Sequence, residues 1–529
     1  MELHKMQQRQ GIRGWLLVAG ILLNLWATEL LAERPMNSLP SAARPTAPAA
    51  RIVVPADYFV DDDNGGAEDG TAAHPFRTVQ QAIDAAADKA VIAVAGGIYR
   101  QNIYVQGKSV RLYGGYIGGT AASYAAGTEG NFTTRDSAAN QSHLKGDGKD
   151  SVVTLFDAGA TVVDGFEVTG GGRSARATPA WLGGGFYVSQ GSPTISNNLI
   201  ERNETCPPVK QDEEKLGGGI YSTGASISIN DNVIRYNTSG RGAGVAADGA
   251  KVVIRGNIVL NNVGVSDHGG GLYIFSPNAE ISHNRIEGNE IGRAMGYGWG
   301  GGITVVNKGG NYKLSYNVFT RNFAPSVGSA IFVDEGAVAS LDHELIYANA
   351  CNPAGNGSVP AVYIDGNEDG TSSRVTVNHC TIADHKCAPA VNGNAITVTG
   401  HSKAIVKNSI LWNNGGDDID ADATSQATVT YTLSQEALKG TGNLSKDPLF
   451  AISTDRNPAE RNYRLRSTTG HWDPAKNNRK GAWVVDTEQS PAIDAADPAL
   501  PFELEPAPNG HRANLGVYGN EEQASKSAR

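Results

Sequence analysis

Two short patterns recur together along the middle of this 529-residue chain, and their spacing limits the folds that it can adopt. The first is a glycine cluster followed by an apolar residue, at residues 183–186, 217–220, 269–272 and 300–303. The second is Asn-x-apolar-x-x-Asn, at 198–203, 232–237, 257–262, 284–289, 317–322 and 408–413; residues 344–349 and 380–385 keep its register with substitutions. The last Asn advances from 203 to 413 in seven steps, so the mean period is 30 residues.

This period is typical of a solenoid, and the content of each unit indicates which kind. Every unit carries short alternating runs rich in β-branched residues, such as residues 226–229 and 252–254, which favour strands over helices. Helical repeats need an apolar spacing that is absent, and a propeller blade needs about 40 residues for four strands. A coil of three short strands fits, with successive coils stacked in parallel about 4.8 Å apart. The sequence therefore predicts an all-β parallel β-helix.

The pattern also predicts the register of the coils. The glycine-rich strand comes first in each coil, the first Asn lies at the turn between the second and third strands, and the second Asn closes the third strand. Asparagine tolerates left-handed backbone, and stacked asparagines can hydrogen-bond from coil to coil. We expect one line of ladder residues: Asn198, Asn232, Asn257, Asn284, Asn317 and Asn408, with Glu344 and Cys380 substituting within it. Loops of variable length, such as residues 204–216 and 290–299, follow the third strand.

The ends of the chain differ from the repeats. Residues 1–32 have a basic start and a short apolar stretch, which predicts a signal peptide, and 33–55 are an Ala/Pro-rich linker. Residues 56–90 form an N-terminal cap, with a helix that starts after Thr78. The β-helix then covers 91–435, an irregular C-terminal cap 436–520 and a polar tail 521–529. We predict an exported monomer with no transmembrane segment in the mature chain.

The composition agrees with a folded, non-nucleic-acid-binding protein. Apolar residues make up 40% of the chain, which is enough to bury a core. The net charge is −10, so the chain has none of the overall basic charge that nucleic-acid binding requires.

Both ends of the predicted coil resemble known proteins. Residues 57–99, with Tyr-Phe-Val-Asp at 58–61 and Pro-Phe-Arg-Thr at 75–78, look like the start of bacterial right-handed parallel β-helix proteins of the pectin-lyase-like superfamily. The segments 490–495 and 514–519 resemble the closing segment of many such secreted proteins. The resemblance implies a right-handed coil. Its members include polysaccharide lyases, glycosidases and proteins without known activity. The Asn-Thr-Asp, Asp-Asp and Gly-His-Gly motifs of polygalacturonase-like enzymes are missing here.

The first strand of each coil carries the predicted ligand site. Alternation places one column of residues outward, which contains Tyr187, Tyr221, Ala246, Tyr273, Thr304, Phe332, Tyr363 and Thr397. Exposed aromatic rings on this face could stack on sugars; alternatively, they fill the face beneath the loops. Arg241, His268 and Trp299 lie just before the strands, and the two cations could bind a uronate carboxylate, or be ordinary loop residues.

Two carboxyl groups on neighbouring coils are the predicted catalytic pair. Asp334 and Asp365 occupy equivalent positions two residues past Phe332 and Tyr363, so their backbones should be about 5 Å apart. Such a pair suits a glycosidase or could hold Ca²⁺, whereas the following glycines favour a role in turns. We predict no required cofactor, with Ca²⁺ as a possible ligand here or at residues 61–65.

Two smaller predictions concern cysteine and histidine. Cys351 and Cys387 lie at equivalent positions on adjacent coils, which predicts a disulfide, whereas Cys380 should be a buried thiol. A column before the Asn ladder comprises His283, Tyr316, His343, His379 and Lys407; its adjacent histidines could bind a metal, although no dedicated spacing accompanies them.

Two functions of different class follow from the sequence. In the first, the protein binds or processes an extracellular polysaccharide or cell-surface glycan, as a lyase or glycosidase on an acidic glycan. In the second, it is a non-catalytic surface or adhesion solenoid, which needs only an extended face.

Overall fold

The structure is a computed structural model that describes residues 55–172, 182–205, 215–349, 359–367, 370–385, 394–451 and 462–528. Its strands form stacked coils, and each full coil contributes one strand to each of three parallel sheets. The signal peptide and linker predicted before residue 55 lie outside the described residues, as do Cys206, Cys351 and Cys387. The predicted disulfide and domain boundaries therefore stay predictions.

The first sheet holds the glycine-rich strands, and within the described residues it comprises Ile103–Gln106, Val153–Phe156, Phe186–Ser189, Ile220–Thr223, Val245–Asp248, Leu272–Ile274, Ile303–Val306, Ile331–Asp334, Val362–Ile364, Ile396–Val398 and Ile419–Ala421. The second sheet comprises Tyr58–Val60, Ala90–Ala95, Val110–Gly118, Val162–Asp164, Thr194–Ser196, Ser226–Asn230, Lys251–Arg255, Asn278–Ser282, Asn311–Ser315, Val338–Asp342, Arg374–Asn378, Lys403–Lys407 and Gln426–Thr430, with Asn131–Arg135 added antiparallel.

The third sheet comprises Gly97–Tyr99, Ser142–Lys145, Phe166–Thr169, Leu199–Glu201, Val233–Arg235, Ile258–Leu260, Arg285–Glu287, Val318–Thr320, Leu345–Tyr347, Thr381–Ala383, Ile410–Trp412 and Leu433–Ser434. Two small sheets accompany these three: Thr238–Ser239, Val263–Gly264 and Glu290–Ile291, and the antiparallel pair His471–Asp473 and Ala482–Val484. Helices are short, at Val79–Ala85, Ala121–Ala125 and Lys476–Arg479.

Inward-facing side chains of the three sheets form continuous apolar columns along the coil axis. In the first sheet the column is fully buried and contains Ile220, Val245, Leu272, Ile303, Ile331, Val362 and Ile396. Successive strands of the first sheet pair without a change of register, so an apolar residue on one strand stacks on the apolar residue at the same position of the next. Each such side chain contributes about 1.5–3 kcal/mol when it is buried, so the column stabilises the solenoid along its length.

Asparagine ladders form as predicted over most of the coil. Each ladder Asn donates its backbone N–H to the side-chain oxygen of the next Asn, at 2.9 Å from Asn232 to Asn257 and from Asn257 to Asn284. The amide nitrogens donate to the same oxygens and to strand carbonyls. A second ladder runs through Asn203, Asn237, Asn262, Asn289, Asn322 and Asn349. The ladder asparagines therefore satisfy one another's buried amide groups within the protein.

The last ladder position differs from the prediction. Lys407 pairs with Asn378, and the ladder residue lies two positions beyond, so the position after Cys380 belongs to Ser409 and not to Asn408. The Ser409 hydroxyl accepts from the Cys380 backbone N–H at 3.1 Å. Asn408 instead has a left-handed φ of 53° and takes the preceding position, which the sequence assigned to Lys407. Strand register decides here because the inward-facing Val406 must stay in the core. Cys380 is buried as a free thiol, as predicted.

The N-terminal helix begins where the sequence placed it. Thr78 and Gln81 form a capping box, and Val79, Ala82 and Ile83 face the core. Further along the chain, the C-terminal residues pack beside the third sheet: Leu515 and Ile493 join a cluster with Tyr347 and Ile410. This segment thus covers the flank of the later coils.

Candidate functional site

The outward column of the first sheet has the predicted register. Tyr187, Tyr221, Ala246, Tyr273, Thr304, Phe332, Tyr363 and Thr397 are successive strand partners. Its exposure, however, differs from the open platform that sugar stacking requires. Phe332 is 3% exposed and Tyr221 6%, and burial raises the pKa of Tyr221 and of Tyr273 to about 12. Most of this column is therefore core, while Tyr273 and Tyr363 are half-buried.

A glycine bend covers the column. Gly217, Gly242, Gly269 and Gly300 have φ between 56° and 70°, and a Cβ on Gly269 would lie 2.3 Å from the carbonyl oxygen of Leu272. The bend folds the residue before each glycine back over the outward face of the following strand. These residues pair with one another in two runs: Leu182, Leu216 and Arg241, then His268, Trp299 and Val327. The glycine clusters thus exist because the chain must reverse tightly there.

Arg241, His268, Tyr273 and Trp299 come together in one cluster, held by Asp267. Arg241 binds Asp267 with two hydrogen bonds, 2.5 Å from Nε to Oδ1 and 2.8 Å from Nη2 to Oδ2. His268 Nδ1 lies 3.1 Å from the same carboxyl group. These partners hold the pKa of Asp267 far below its usual range, against the rise that its burial causes. Since Arg241 is already paired with a carboxylate, the cluster is suited to stabilising the contact between neighbouring coils.

Rings complete this cluster. The His268 centroid lies 4.9 Å from that of Trp299 and 5.6 Å from that of Tyr273, and the Arg241 guanidinium lies 5.7 Å from the Tyr273 ring. His268 also contacts Phe332 at 6.0 Å, which connects the cluster to the neighbouring coils. Phe332 in turn lies 5.8 Å from Tyr363, so all six predicted binding residues are connected through ring or cation contacts.

Asp334 and Asp365 lie on adjacent strands at the far end of the same face. Val333 pairs with Ile364, and the Asp365 N–H donates to the Val333 carbonyl at 2.9 Å. Burial raises the pKa of Asp334 to about 6, and the charge of Asp365 adds to the rise, while the N–H of Glu335 opposes it. A carboxyl group with such a pKa keeps its proton up to about pH 6 and can donate it there.

A hydroxyl network orients the second carboxyl group. Asp365 Oδ1 accepts from the Thr399 hydroxyl at 2.7 Å and from the Gly366 N–H at 2.9 Å. The Thr399 hydroxyl also lies 2.9 Å from the Tyr363 hydroxyl. Thr399 was not among the residues predicted from the sequence. Strand register identifies it: Ile364 pairs with Val398, so Thr399 is the next residue after Asp365 in the same column. Both Asp side chains also cap their own turns, as the alternative reading expected.

The turn column beside the Asn ladder forms a stack of rings. His283, Tyr316, His343 and His379 lie with centroids 5.1, 4.9 and 4.9 Å apart and planes within 21°. His343 hydrogen-bonds Asp342 at 3.1 Å and the Gly519 carbonyl at 2.9 Å. The C-terminal segment thus seals the histidine pair, and burial lowers the pKa of His379 to about 4. These contacts give the column a role in packing.

Carboxylate oxygens of the predicted cation site at residues 61–65 already accept hydrogen bonds from the protein. Asp61 is buried and accepts from the Tyr124 hydroxyl at 2.6 Å and the Gly119 N–H at 2.8 Å, and Asp62 accepts from the Ile98 N–H. In the part of the chain that the structure describes, no group of three or more His, Cys, Asp or Glu side chains is placed to hold a metal ion. Over the same residues, no helix is both long and apolar enough to cross a membrane.

Comparison with known proteins agrees with this architecture. Residues 213–337 match the family model described as "Right handed beta helix region". The protein is a right-handed parallel β-helix protein. Among solved structures, the crystal structure of pectate lyase Pel9A matches with a TM-score of 0.37 and 12% identity, over 87% of this chain and 95% of that chain. No curated protein matches the sequence. The family match therefore identifies the fold of this protein.

Proposed function

We propose that this β-helix protein is exported and acts on an extracellular polysaccharide at the Asp334–Asp365 pair, as a glycoside hydrolase. The observation that carries the proposal is the placement of Asp334 beside Asp365 on neighbouring coils, where burial and the neighbouring carboxyl group raise the pKa of Asp334 to about 6. Glycosidic cleavage needs one carboxyl group that protonates the leaving oxygen and a second that acts at the sugar carbon or on water.

The spacing supports a retaining mechanism. Neighbouring strands lie about 4.8 Å apart, and retaining enzymes hold their carboxyl groups about 5–5.5 Å apart, whereas inverting enzymes leave more room for water. Asp334 would donate its proton to the glycosidic oxygen. Asp365, oriented by Thr399 and Gly366, would form the bond to the sugar. Tyr363, half-buried beside Thr399, would contact the substrate ring.

The lyase alternative and the acidic substrate have less support at this face. A lyase must neutralise a uronate carboxylate, and the cation expected to do so, Arg241, is bound by Asp267. The first-sheet face also carries Asp248, Asp420 and Asp422 in addition to the pair, which disfavours a polyanion by charge repulsion.

A non-catalytic surface or adhesion role is the second candidate. It is favoured by the turn-capping hydrogen bonds of Asp334 and Asp365 and by the covered aromatic column. In that case the pair serves the fold, and any glycan would be held without cleavage.

A screen against neutral and acidic polysaccharides separates these candidates. We expect new reducing ends with at least one substrate, and their loss in Asp334→Asn and in Asp365→Asn, with Asp248→Asn as the matched control on the same face. Binding without cleavage by all four proteins would favour the adhesion role. Cleavage that survives both substitutions would exclude the proposed site.

A further inference from the structure

The outward face of the second sheet carries a strip of positive charge. Six cations point outward between the strands Lys251–Arg255 and Lys403–Lys407, against two carboxylates, Glu280 and Asp342. The six are Lys251, Arg255, Lys313, Arg374, Lys403 and Lys407. The chain as a whole has the opposite balance, with a net charge of −10. We call these six side chains the basic strip.

Most of the basic strip is free to bind an anion. All of its members except Lys407, which is half-buried, are exposed. Within the described residues, Lys251 alone among the six lies within 4 Å of a carboxylate, 3.8 Å from Glu280. The other carboxylate, Asp342, is occupied by His343 at 3.1 Å and by the Asn378 amide at 2.7 Å.

Two of the cations face each other directly. Arg374 and Lys403 are register partners on adjacent strands, about 4.8 Å apart along the sheet. Like charges that lie opposite each other on neighbouring strands destabilise a sheet. Both side chains are exposed to solvent. A bound anion between them would remove the repulsion.

The shape of the strip selects the kind of anion. The strip is one strand wide and extends over five strand spacings from Lys251 to Lys403, about 24 Å along the coil axis. Hydroxyl and amide side chains lie between the cations, at Asn278, Asn311, Ser340, Thr376 and Asn378, together with the exposed apolar residues Val338 and Ile405. The polar groups among them match the hydroxyl groups of sugars. No outward-facing side chain of these strands is aromatic, whereas a nucleic-acid surface uses aromatic rings for base stacking and a membrane surface uses them for anchoring.

We propose that the basic strip binds one linear acidic polysaccharide, a chain of carboxylate- or sulfate-bearing sugars that lies along the coil axis. The strip would therefore hold an anionic glycan on the face opposite in charge to the carboxylate pair. The inference does not depend on Asp334 and Asp365 being catalytic, because it concerns a different sheet.

The test measures binding of the purified protein to polygalacturonate by affinity electrophoresis. Replacing Lys313→Gln, Arg374→Gln and Lys403→Gln together should weaken binding by about three-fold to a hundred-fold, because three exposed ion contacts are lost. The matched control carries Lys439→Gln, Lys446→Gln and Lys480→Gln, which change the net charge equally at exposed positions off the strip. Binding of the control should equal that of the wild type.

Three further measurements keep the outcome decisive. Wild-type binding should fall steeply between about 50 and 300 mM NaCl, because salt screens the attraction between exposed charges. This measurement needs only the wild-type protein, so it stands even if the triple variant does not fold. Neutral dextran should not bind. Asp334→Asn should bind polygalacturonate like the wild type, which separates the strip from the proposed catalytic site. Equal weakening by both triple variants, or stronger binding to phosphatidylglycerol vesicles or DNA than to polygalacturonate, would overturn the proposal.

Discussion

Replacing Asn284 by Ala tests the ladder at its centre. The Asn284 side chain makes four hydrogen bonds: it donates to the Ile254 carbonyl and to Asn317 Oδ1, both at 2.9 Å, and it accepts from the backbone and side-chain nitrogens of Asn257. Alanine leaves the buried Asn257 N–H without its acceptor. Such an orphaned group costs about 1–3 kcal/mol, and each lost net bond about 1 kcal/mol. Relaxation recovers part of this sum, so we expect a loss of about 2–4 kcal/mol.

Urea unfolding followed by circular dichroism measures this loss, with Asn278→Ala as the control. Asn278 lies on the preceding strand, Asn278–Ser282, but its side chain is exposed, so the same truncation there should cost less than about 0.5 kcal/mol. Equal midpoints for the two variants would refute the reasoning, because they would mean that a buried ladder asparagine contributes no more than an exposed one.

Three further variants test individual groups. Asp334→Asn should gain stability relative to wild type as pH rises from 4 to 8, on the order of 2–3 kcal/mol, because the raised pKa of Asp334 makes its ionisation unfavourable in the folded state; a pH-independent difference would contradict this. Glu344→Gln should stabilise more at pH 8 than at pH 5, since burial raises the pKa of Glu344 and Gln keeps the bond from Asn317; thermal melts at both pH values check it. Arg241→Gln should cost about 3 kcal/mol in urea unfolding because it strands the buried Asp267 charge, whereas the exposed Arg293→Gln should cost less than about 1 kcal/mol.

The fold could be predicted from the sequence because the repeat encodes it twice. The ladder asparagines and the alternating apolar residues fix the same register, and both hold from Asn198 to Asn317. The prediction went wrong by one residue at Asn408, because residues 408–413 match the motif in full, whereas the true register, Ser409 to Asn414, matches it only with serine in the first position. Strand pairing selects Asn414, whose amide donates to the Ile382 carbonyl as a second-ladder residue does. Pairing across coils is not visible in a local motif.

Less of the candidate site could be predicted. Alternation correctly placed Phe332 and Tyr363 in one outward column, but it could not show that the glycine bends fold Trp299 and His268 back over it. A side chain that points outward from a strand can therefore still be buried. The charge contrast between the two sheet faces was also hidden in the sequence. Cations on successive charged strands, such as Lys313, Arg374 and Lys403, are about 30 to 60 residues apart and form a strip only when the coils stack.

The pH dependence of cleavage tests the central claim most directly. With a polysaccharide that the protein cleaves, release of reducing ends should depend on a protonated group with a pKa near 6. This is the value to which burial and the charge of Asp365 raise the pKa of Asp334. The rate should therefore decline on the alkaline side as this proton is lost, and Asp334→Asn should abolish both the rate and that limb of the profile. A wild-type profile that is unchanged in Asp334→Asn, or glycan retention without any cleavage between pH 4 and 8, would contradict the account.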